Sequence, residues 1–561
     1  MTLKSYRSVV AMIVLVAALA IGTGLRAAEM SGKRQLNHDE AISYIAATGH
    51  EDRYRWAIDG GLTNRWVPAA DWKRLMQPGS FWDFGEIRAG LAHTDTHPPL
   101  YFWLLHVWVA VVGVHLRGGI VLNILIALGT GVVLFLLAWR LLRDPLEAAL
   151  VVLVWETCAP MLKTSLIARH YDLYAFFTAL LAFVVVGACD LERPWRRRDY
   201  VFLALVAAAG LLTHYQFVIV VGTAVLYAIV FLVRRDRGRL LRVVAGLVAA
   251  APLFLLGAPQ FYESVRRQSQ WQAHGFSLDA LRSRAQTVGD AMTSLYGLRE
   301  DDLRRAPAVA SVVSRPLWGP LANPVAVLAV ALAAIGLVLV VGLALPRTRR
   351  PVRRWLGRID RTGVGRTLVL LGGVAGGIIG MYLAFRSPVY AMQERYLAPI
   401  WVPAAFIPVL LARLLIGRAR YVVVVAFVAF FMLPASLGRL DALKNPAPDR
   451  SRLIESAARV VVDRADRSNT SRLLYWLPDH TPVYVSSQAE LAARPDAWLP
   501  KLTTGDLYLE LGGEQNTPQS FAAVKRLIDQ RFTMMPRHYG LRGVGLMFVL
   551  RELAQPATAA P

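Results

Sequence analysis

The chain has 561 residues, of which 55% are hydrophobic and 18% are charged, and its mean hydropathy is +0.41. A soluble globular protein of this size needs more charged residues on its surface, and a disordered chain contains fewer apolar ones, so both classes are excluded. Most of the net charge of +23 lies in Arg-rich stretches between long apolar blocks. This pattern indicates a polytopic membrane protein with no nucleic-acid partner. The two cysteines lie inside apolar blocks and indicate neither a disulfide framework nor a metal site.

The first apolar run, Val9–Leu25, follows Lys4 and Arg7. Arg26 lies where cleavage after Ala28 would need a small residue, so we interpret the run as a retained first helix with a cytoplasmic N-terminus. About eleven transmembrane helices are predicted in total. After the first helix they cover roughly residues 118–139, 146–163, 171–189, 200–213, 217–233, 241–257, 323–345, 367–385, 396–412 and 420–437.

Arginine clusters alternate with arginine-poor connections along these spans. The clusters follow the spans that end near residues 139, 189, 233, 345 and 412. By the positive-inside rule these connections face the cytoplasm. The large loops 26–117 and 258–322 and the tail 438–561 are therefore predicted to face the outside.

The apolar segment Pro98–Gly113 is predicted not to cross the membrane. Its sixteen residues reach only about 24 Å as a helix, which is short of the ~30 Å hydrocarbon core. A crossing here would also turn every later arginine cluster outward. Tyr101, Trp103 and Trp108 suit the headgroup level. We expect a helix that lies in the outer interface or re-enters.

The tail is less apolar and is predicted to form a small α/β domain. The expected boundary separates a membrane domain, residues 1–437, from an outside domain, residues 438–561. The predicted tail elements are a helix over Arg450–Asp466, strands over Arg472–Leu477, Pro482–Ser486 and Asp506–Leu511, a helix over Pro518–Phe532 and a strand over Gly543–Arg551.

Ionisable and aromatic residues collect at five places on the predicted outer face, where charge near a membrane is costly and therefore informative. These places are Asp39-Glu40, the run from His93 through Asp95 to His97, Arg169-His170-Tyr171-Asp172, His214-Tyr215, and Glu394-Arg395-Tyr396. A carboxylate can act as a general base, arginines can hold a phosphate, and aromatic rings can stack on a sugar. The convergence predicts a site for a phosphorylated amphiphile at the membrane boundary.

Each place also has an ordinary interpretation. Asp39-Glu40 suits a solvated helix start, Arg169 suits a snorkelling side chain beside an interfacial Tyr171, and His214-Tyr215 suits a polar turn. Glu394 and Arg395 suit a local ion pair. His93, Asp95 and His97 contain metal-ligating groups, but their spacing matches no standard site. No cofactor is certain from the sequence, and a divalent cation stays open.

The chain resembles the C-type glycosyltransferases that use polyprenyl-phosphate sugars. These include the protein O-mannosyltransferases, the lipid A aminoarabinose transferases and the lipopolysaccharide-core glycosyltransferases. The carrying segments, in the superfamily's order, are DEAISY (39–44), HPPLYFWLLHVWVAVVG (97–113), ARHYDLYAFF (168–177), THYQF (213–217) and ERYLAPIWVP (394–403).

The resemblance implies the superfamily's membrane fold over residues 1–437 and assigns roles to matching residues. It makes Asp39 the leading base, with Glu40 beside it, and places His97 at the start of a helix that borders the donor site. Arg169 and Tyr171, and later Arg395 and Tyr396, match outer motifs near the donor phosphate. The aminoarabinose transferases carry an acid and a lysine where this chain has Thr96 and His97, so Asp95 or Asp172 would have to replace that acid.

The resulting hypothesis is an inverting glycosyltransferase in a bacterial inner membrane, with its active site and tail domain facing the periplasm. A polyprenyl-phosphate sugar would be the donor, and a glycan, lipid or protein of the cell envelope, including lipopolysaccharide, the acceptor. The main alternative is a polytopic transporter or lipid flippase, which predicts ionisable groups at the bilayer midplane and inverted repeats. A lipid-linked glycan polymerase or ligase is a second alternative.

Overall fold

The computed structural model describes residues 3–33, 36, 38–95, 97–270, 294–296, 364–384, 394–415, 419–444, 456–463, 470, 474–475, 477–510, 518–537 and 547–553. The chain forms two compact units. The first comprises residues 1–31, 95–101 and 120–444, and the second comprises residues 32–94, 102–119 and 445–561.

The first unit is a bundle of apolar helices. Its helices are Leu3–Ser31, Gly118–Leu142, Pro145–Glu156, Ala159–Ser165, Tyr171–Ala188, Arg197–Thr213, Phe217–Leu232, Arg237–Val248, Ala250–Gly257, Phe261–Gln270, Val364–Ala384, Ala398–Ala404, Ile407–Leu415, Arg420–Phe427 and Leu433–Lys444. Short π and 3₁₀ turns lie at Val428–Met432 and Glu394–Leu397. Large side chains such as Trp155, Tyr174 and Trp401 form its core.

Within the described residues, seven helical segments are long and apolar enough to cross a membrane, or eight if a bent pair counts as one span. That pair, Pro145–Glu156 and Ala159–Ser165, bends by 60°, and Pro160 lies in the first turn of the second helix. Helices Arg197–Thr213 and Phe217–Leu232 have 17 and 16 residues. Each predicted span coincides with helix except 323–345, which lies outside the described residues, as does most of the loop 258–322.

The second unit combines short helices with a six-stranded sheet. Its helices are His38–Thr48, Glu51–Trp56, Ala69–Arg74, Phe84–Thr94, the part of Leu100–Val112 from Phe102 onward, Gln488–Ala493 and Pro518–Ile528, with short π and 3₁₀ helices at Ala57–Gly61, Pro495–Ala497 and Leu499–Lys501. The strands are β1 (Trp66–Pro68), β2 (Val460–Val462), β3 (Pro482–Val485), β4 (Leu507–Leu509), β5 (Phe532–Arg537) and β6 (Met547–Glu552).

The sheet has the order β1-β3-β2-β4-β6-β5. Strands β3, β2 and β4 are parallel, and the outer pairs are antiparallel. Val461, Tyr484 and Tyr508 of the parallel strands pack on one face with Val524 and Ile528 of helix Pro518–Ile528. The tail is therefore an α/β structure, as its sequence predicts.

Three details of the tail prediction were wrong. Val460–Val462 falls inside the predicted helix Arg450–Asp466 but forms β2, because three consecutive β-branched residues suit a strand that is buried on both faces. Leu474, Tyr475 and Leu477, inside the predicted strand Arg472–Leu477, are not in a strand. Phe532 belongs to β5, a strand that the sequence analysis missed.

The structure also differs from the predicted domain boundary at residue 437. Strand β1 comes from the loop 26–117 and pairs with β3, with Val67 opposite Val483. Pro68 is tolerated there because β1 is an edge strand. The first outer loop and the tail therefore share one sheet.

Helix Leu100–Val112 has 13 residues, in keeping with the prediction of a non-crossing helix. Trp103 and Trp108 donate their indole N–H groups to the carbonyl oxygens of Phe84 and Gly118, at 3.0 and 2.8 Å. His106 is buried and its Nδ1 lies 2.7 Å from the Ala47 carbonyl oxygen. These bonds hold the helix inside the second unit.

Candidate functional site

Three histidines from separate segments meet in the first unit. His97 precedes helix Leu100–Val112, His170 ends the connection before Tyr171–Ala188, and His214 follows Arg197–Thr213. The ring centroids of His97 and His170 lie 4.7 Å apart, and those of His170 and His214 lie 5.0 Å apart. The fold thus brings together three of the five places that the sequence singled out. We call these three residues the histidine cluster.

His170 is the centre of the histidine cluster. Its side chain has no solvent exposure, and within the described part of the chain neither ring nitrogen has a hydrogen-bond partner. A buried polar group without a partner costs free energy. The vacant ring nitrogens therefore point to a ligand group that this position can bind.

The other two histidines are held in place by neighbours. His97 Nδ1 pairs with the carboxylate of Asp95, and His214 Nδ1 accepts a hydrogen bond of 3.1 Å from the backbone N–H of Gln216. The ring of Tyr174 stacks on His214, with centroids 4.7 Å apart and an interplanar angle of 13°. These contacts fix both rings in orientation.

His170 and His214 are uncharged at neutral pH. Burial, followed by the neighbouring His97, His214 and Arg169, holds the pKa of His170 well below its usual value. Burial and His97 lower the pKa of His214 to about 3. A neutral imidazole can donate from one nitrogen and accept at the other, so these two rings can offer hydrogen bonds without adding positive charge.

Two positively charged arginines, Arg169 and Arg395, lie near the histidine cluster. Arg169, next to His170, is only 6% exposed. The guanidinium carbon of Arg395 lies 5.6 Å from the ring centre of Tyr171 and 5.7 Å from that of Tyr396, and these two rings are 6.0 Å apart. The segments around 169 and 395, more than two hundred residues apart, therefore meet. Guanidinium groups beside neutral donors suit a phosphate.

The remaining predicted residues of this unit have different surroundings. Asp172 is fully buried and its Oδ1 lies 3.0 Å from Ser165 Oγ, so these two side chains flank the turn that contains Arg169 and His170. Tyr215 packs against Phe254 and Phe261, with ring centroids 6.1 and 5.0 Å away. Glu394 begins the short helix Glu394–Leu397, and its side chain lies outside the described part.

The predicted acids Asp39 and Glu40 begin helix His38–Thr48 in the second unit. Glu40 is fully buried, and both of its oxygens lie 2.5 Å from Lys33 Nζ. Burial lowers the pKa of Lys33, and the charge of Glu40 opposes that shift. Asp39 is half-buried. The two adjacent acids therefore occupy different environments.

A metal site at His93, Asp95 and His97 finds no support in the described residues. His93 is exposed at the end of helix Phe84–Thr94, and no group of three His, Cys, Asp or Glu side chains within the described ranges is arranged to hold a metal ion.

Two neighbours of the candidate site residues were missed by the sequence analysis. Tyr174 stacks on His214 and is four residues after His170, which places both on one side of a helix; that spacing was a usable signal. Lys33 lies seven residues before Glu40. This is not one of the three- or four-residue spacings that bring side chains together on a helix, so no local pattern could have identified the pair.

Comparison with known proteins gives one match to a family model. Residues 96–261 match the family described as dolichyl-phosphate-mannose-protein mannosyltransferase. This segment contains His97, Arg169, His170 and His214. No curated protein sequence matches the chain.

Two solved structures resemble the chain at low identity. The crystal structure of ArnT from Cupriavidus metallidurans bound to undecaprenyl phosphate has 15% identity and a TM-score of 0.47, covering 98% of this chain and 99% of that one. AglB, the oligosaccharyltransferase from Archaeoglobus fulgidus in complex with an inhibitory peptide and a dolichol-phosphate, has 12% identity and a TM-score of 0.43, covering 98% and 75%. TM-scores below 0.5 do not by themselves establish a common fold.

The family match covers the same segments that carry the histidine cluster and Arg169. The transporter alternative is not supported by any of these findings. Over residues 96–261 the chain is therefore similar to the dolichyl-phosphate-mannose-protein mannosyltransferase family.

Proposed function

We propose that the protein transfers a sugar, with inversion, from a polyprenyl monophosphate to an acceptor of the cell envelope, on the periplasmic side of a bacterial inner membrane. A glycan, lipid or protein hydroxyl or amine is the acceptor group, and lipopolysaccharide is one such acceptor. The free energy that drives the transfer comes from breaking the sugar–phosphate bond of the donor, so no nucleotide takes part in the step.

The observation that carries the proposal is the histidine cluster with its flanking arginines. Arg169 and Arg395 supply two positive charges, and His170 presents buried ring nitrogens that lack a partner among the described residues. A leaving phosphate gains negative charge as its bond to the sugar breaks. Fixed cations and hydrogen-bond donors in a water-poor site stabilise that charge strongly, so these groups favour departure of the lipid phosphate.

Asp39 is the proposed base. The acceptor oxygen or nitrogen attacks the anomeric carbon, its proton passes to the Asp39 carboxylate, and the carbon–oxygen bond to the phosphate breaks on the opposite face. Glu40 is unsuited to this task because its carboxylate is buried and bonded to Lys33 through both oxygens. We propose that Glu40 and Lys33 instead fix the start of helix His38–Thr48, on which Asp39 lies.

Native mass spectrometry of the purified protein with undecaprenyl phosphate tests the donor site. The wild type is expected to bind one lipid phosphate, and Arg169→Gln and Arg395→Gln are expected to lose it. Arg198→Gln is the matched control, because Arg198 is exposed at the start of another helix of the same unit. Wild-type protein that retains only bulk phospholipid when undecaprenyl phosphate is supplied would contradict the proposal.

A further inference from the structure

A buried ion pair joins the first helix to the bent span. Arg26 Nη1 lies 2.5 Å from Glu156 Oε2, and each side chain is 1% exposed. The helices are shaped around this carboxylate, since a Cβ added at Gly22 or Gly131 would lie 1.9 or 2.8 Å from its oxygens. Placing two charges inside an apolar bundle costs several kcal/mol per ion, and charged groups in membrane spans usually have a function.

The ion pair continues into the connection that carries Arg169 and His170. Arg26 Nε donates to Ser165 Oγ at 3.2 Å, and Ser165 Oγ lies 3.0 Å from Asp172 Oδ1. Ser165 is the last residue of helix Ala159–Ser165, and Asp172 is the second residue of Tyr171–Ala188. These two side chains therefore join the two ends of the turn 166–170.

The same turn is also held from a second direction. Asn123 Nδ2 donates to the Ile167 carbonyl oxygen at 2.7 Å, and the Tyr101 hydroxyl donates to Asn123 Oδ1 at 3.0 Å. Two sets of bonds, which meet at Ser165, thus hold the backbone immediately before Arg169. Positioning of this kind matters because a phosphate-binding group that is displaced by about 1 Å can lose much of its effect on rate.

We propose that Arg26, Glu156 and Ser165 are positioning residues for the donor phosphate: they hold the turn 166–170 so that Arg169 and His170 face the lipid phosphate. This inference rests on the proposed function, which places that phosphate at Arg169 and His170. An ion pair that served only to join the two helices would not need the further contacts from Arg26 to Ser165 and from Ser165 to Asp172.

Glu147, at the other end of helix Pro145–Glu156, is the matched control. It is also fully buried, and it pairs with Arg420 Nε at 2.7 Å and Arg413 Nη1 at 3.3 Å. For Ser165 the control is Thr164, a buried neighbour in the same helix whose hydroxyl donates to the Pro160 carbonyl oxygen at 2.9 Å. Each control removes similar chemistry without touching the turn.

The test measures the dissociation constant of undecaprenyl phosphate and the unfolding temperature of each variant in the same detergent. Ser165→Ala is expected to weaken binding by about 5- to 10-fold, the effect of losing one or two hydrogen bonds. Glu156→Gln is expected to weaken it further. Arg26→Lys keeps the charge, but its single nitrogen replaces both Nη1, which pairs with Glu156, and Nε, which donates to Ser165. It is therefore expected to weaken binding as well. Thr164→Ala and Glu147→Gln should bind as the wild type does, even where their unfolding temperatures fall.

The outcomes separate this inference from the proposed function. If the wild type binds undecaprenyl phosphate and Ser165→Ala binds it within twofold of Thr164→Ala, the positioning role is wrong and the donor site stands. If the wild type does not bind it, the proposed function fails and the inference fails with it. Should Glu156→Gln not fold, the small change Ser165→Ala decides the result.

Discussion

Asp39 and Glu40 are neighbours in sequence with different surroundings, and this difference predicts different effects of mutation. Asp39→Asn removes the proposed base and is expected to lower turnover by on the order of 10²–10⁴. Its affinity for undecaprenyl phosphate should be unchanged, because Asp39 is not proposed to contact the phosphate. Turnover is measured as release of undecaprenyl phosphate from its sugar-linked form.

Asp59→Asn is the control for this change, since Asp59 is an exposed acid of the same unit. It should leave both turnover and binding as in the wild type. Near-normal turnover of Asp39→Asn would remove Asp39 from the mechanism and leave the donor site untouched.

The histidine cluster predicts a dependence of stability on pH. Because the folded-state pKa of His214 is lowered to about 3 by burial and His97, the unfolded chain binds protons more readily below about pH 6.5. The contribution of His214 to the free energy of unfolding is therefore at its maximum above pH 6.5. It is lost as the pH decreases toward about 3.

His214→Gln removes one of these proton-binding groups, so its unfolding temperature should fall less steeply over that range. His480→Gln, at an exposed position of the sheet unit, should follow the wild type. Equal slopes for the wild type and His214→Gln would show that protonation of His214 is not linked to folding.

At this scale the sequence was a good guide to residue types and a poor one to their partners. Charged and aromatic residues at apolar boundaries identified His97, Arg169 and His214, because such positions are costly without a reason. That His170 lies at the centre, with Tyr174 stacked on His214, depends on three connections that meet in space. No local pattern shows which connections those are.

Helix packing around Glu156 predicts opposite outcomes for two glycines of the first helix. A Cβ at Gly22 would lie 1.9 Å from Glu156 Oε2, whereas a Cβ at Gly24 would have no atom within 4 Å among the described residues. Gly22→Ala must therefore displace the Glu156 carboxylate or separate helices Leu3–Ser31 and Pro145–Glu156. We expect a loss of about 1–3 kcal/mol of stability, as for overpacking in other cores.

Gly24→Ala introduces the same methyl group into the same helix and should be neutral or slightly stabilising. The unfolding temperatures of the two variants in one detergent make the comparison. A Gly22→Ala variant as stable as Gly24→Ala would show that Glu156 has room to move and that the two helices do not close around it.

The helices were predictable from sequence, whereas the sheet was only partly so. A long apolar run in lipid has few alternatives to a helix, and the predicted spans in the described ranges coincide with helices for that reason. Val460–Val462 lies inside a predicted helix but forms a strand, because an apolar run this short is ambiguous without its neighbours. Strand β1 was missed since its partner, β3, is about four hundred residues away in sequence.

At the scale of the whole molecule, the first outer loop and the tail form one unit although the membrane helices separate them in sequence. The apolar and arginine pattern predicted that both lie on one side of the membrane, and their shared sheet agrees with that expectation. The boundary at residue 437 could not reveal this unit, because a boundary drawn along the chain separates segments that pair across it.

The distribution of arginine predicts the membrane orientation, and single cysteines can test that prediction. The two native cysteines are buried, at 1% and 2% exposure, so they should react little with an impermeant thiol reagent. Cysteine at exposed His115 or Asp479 is expected to react in intact cells, since both positions lie in segments predicted to face the periplasm. Cysteine at exposed Arg198, within an arginine cluster, is expected to react only after the inner membrane is opened.

The pair of positions 115 and 479 also tests helix Leu100–Val112. If that helix crossed the membrane, the positive-inside rule would be broken at every later connection. Position 115, after the helix, would then react from the opposite side of the membrane to residues 26–97, before it. Reaction of His115→Cys only after opening of the inner membrane, with Arg198→Cys reacting in intact cells, would reverse the predicted orientation of the later spans. Reaction of positions 115 and 479 from the outside would place Asp39 and the sheet unit on the periplasmic face, where an acceptor of the cell envelope is available.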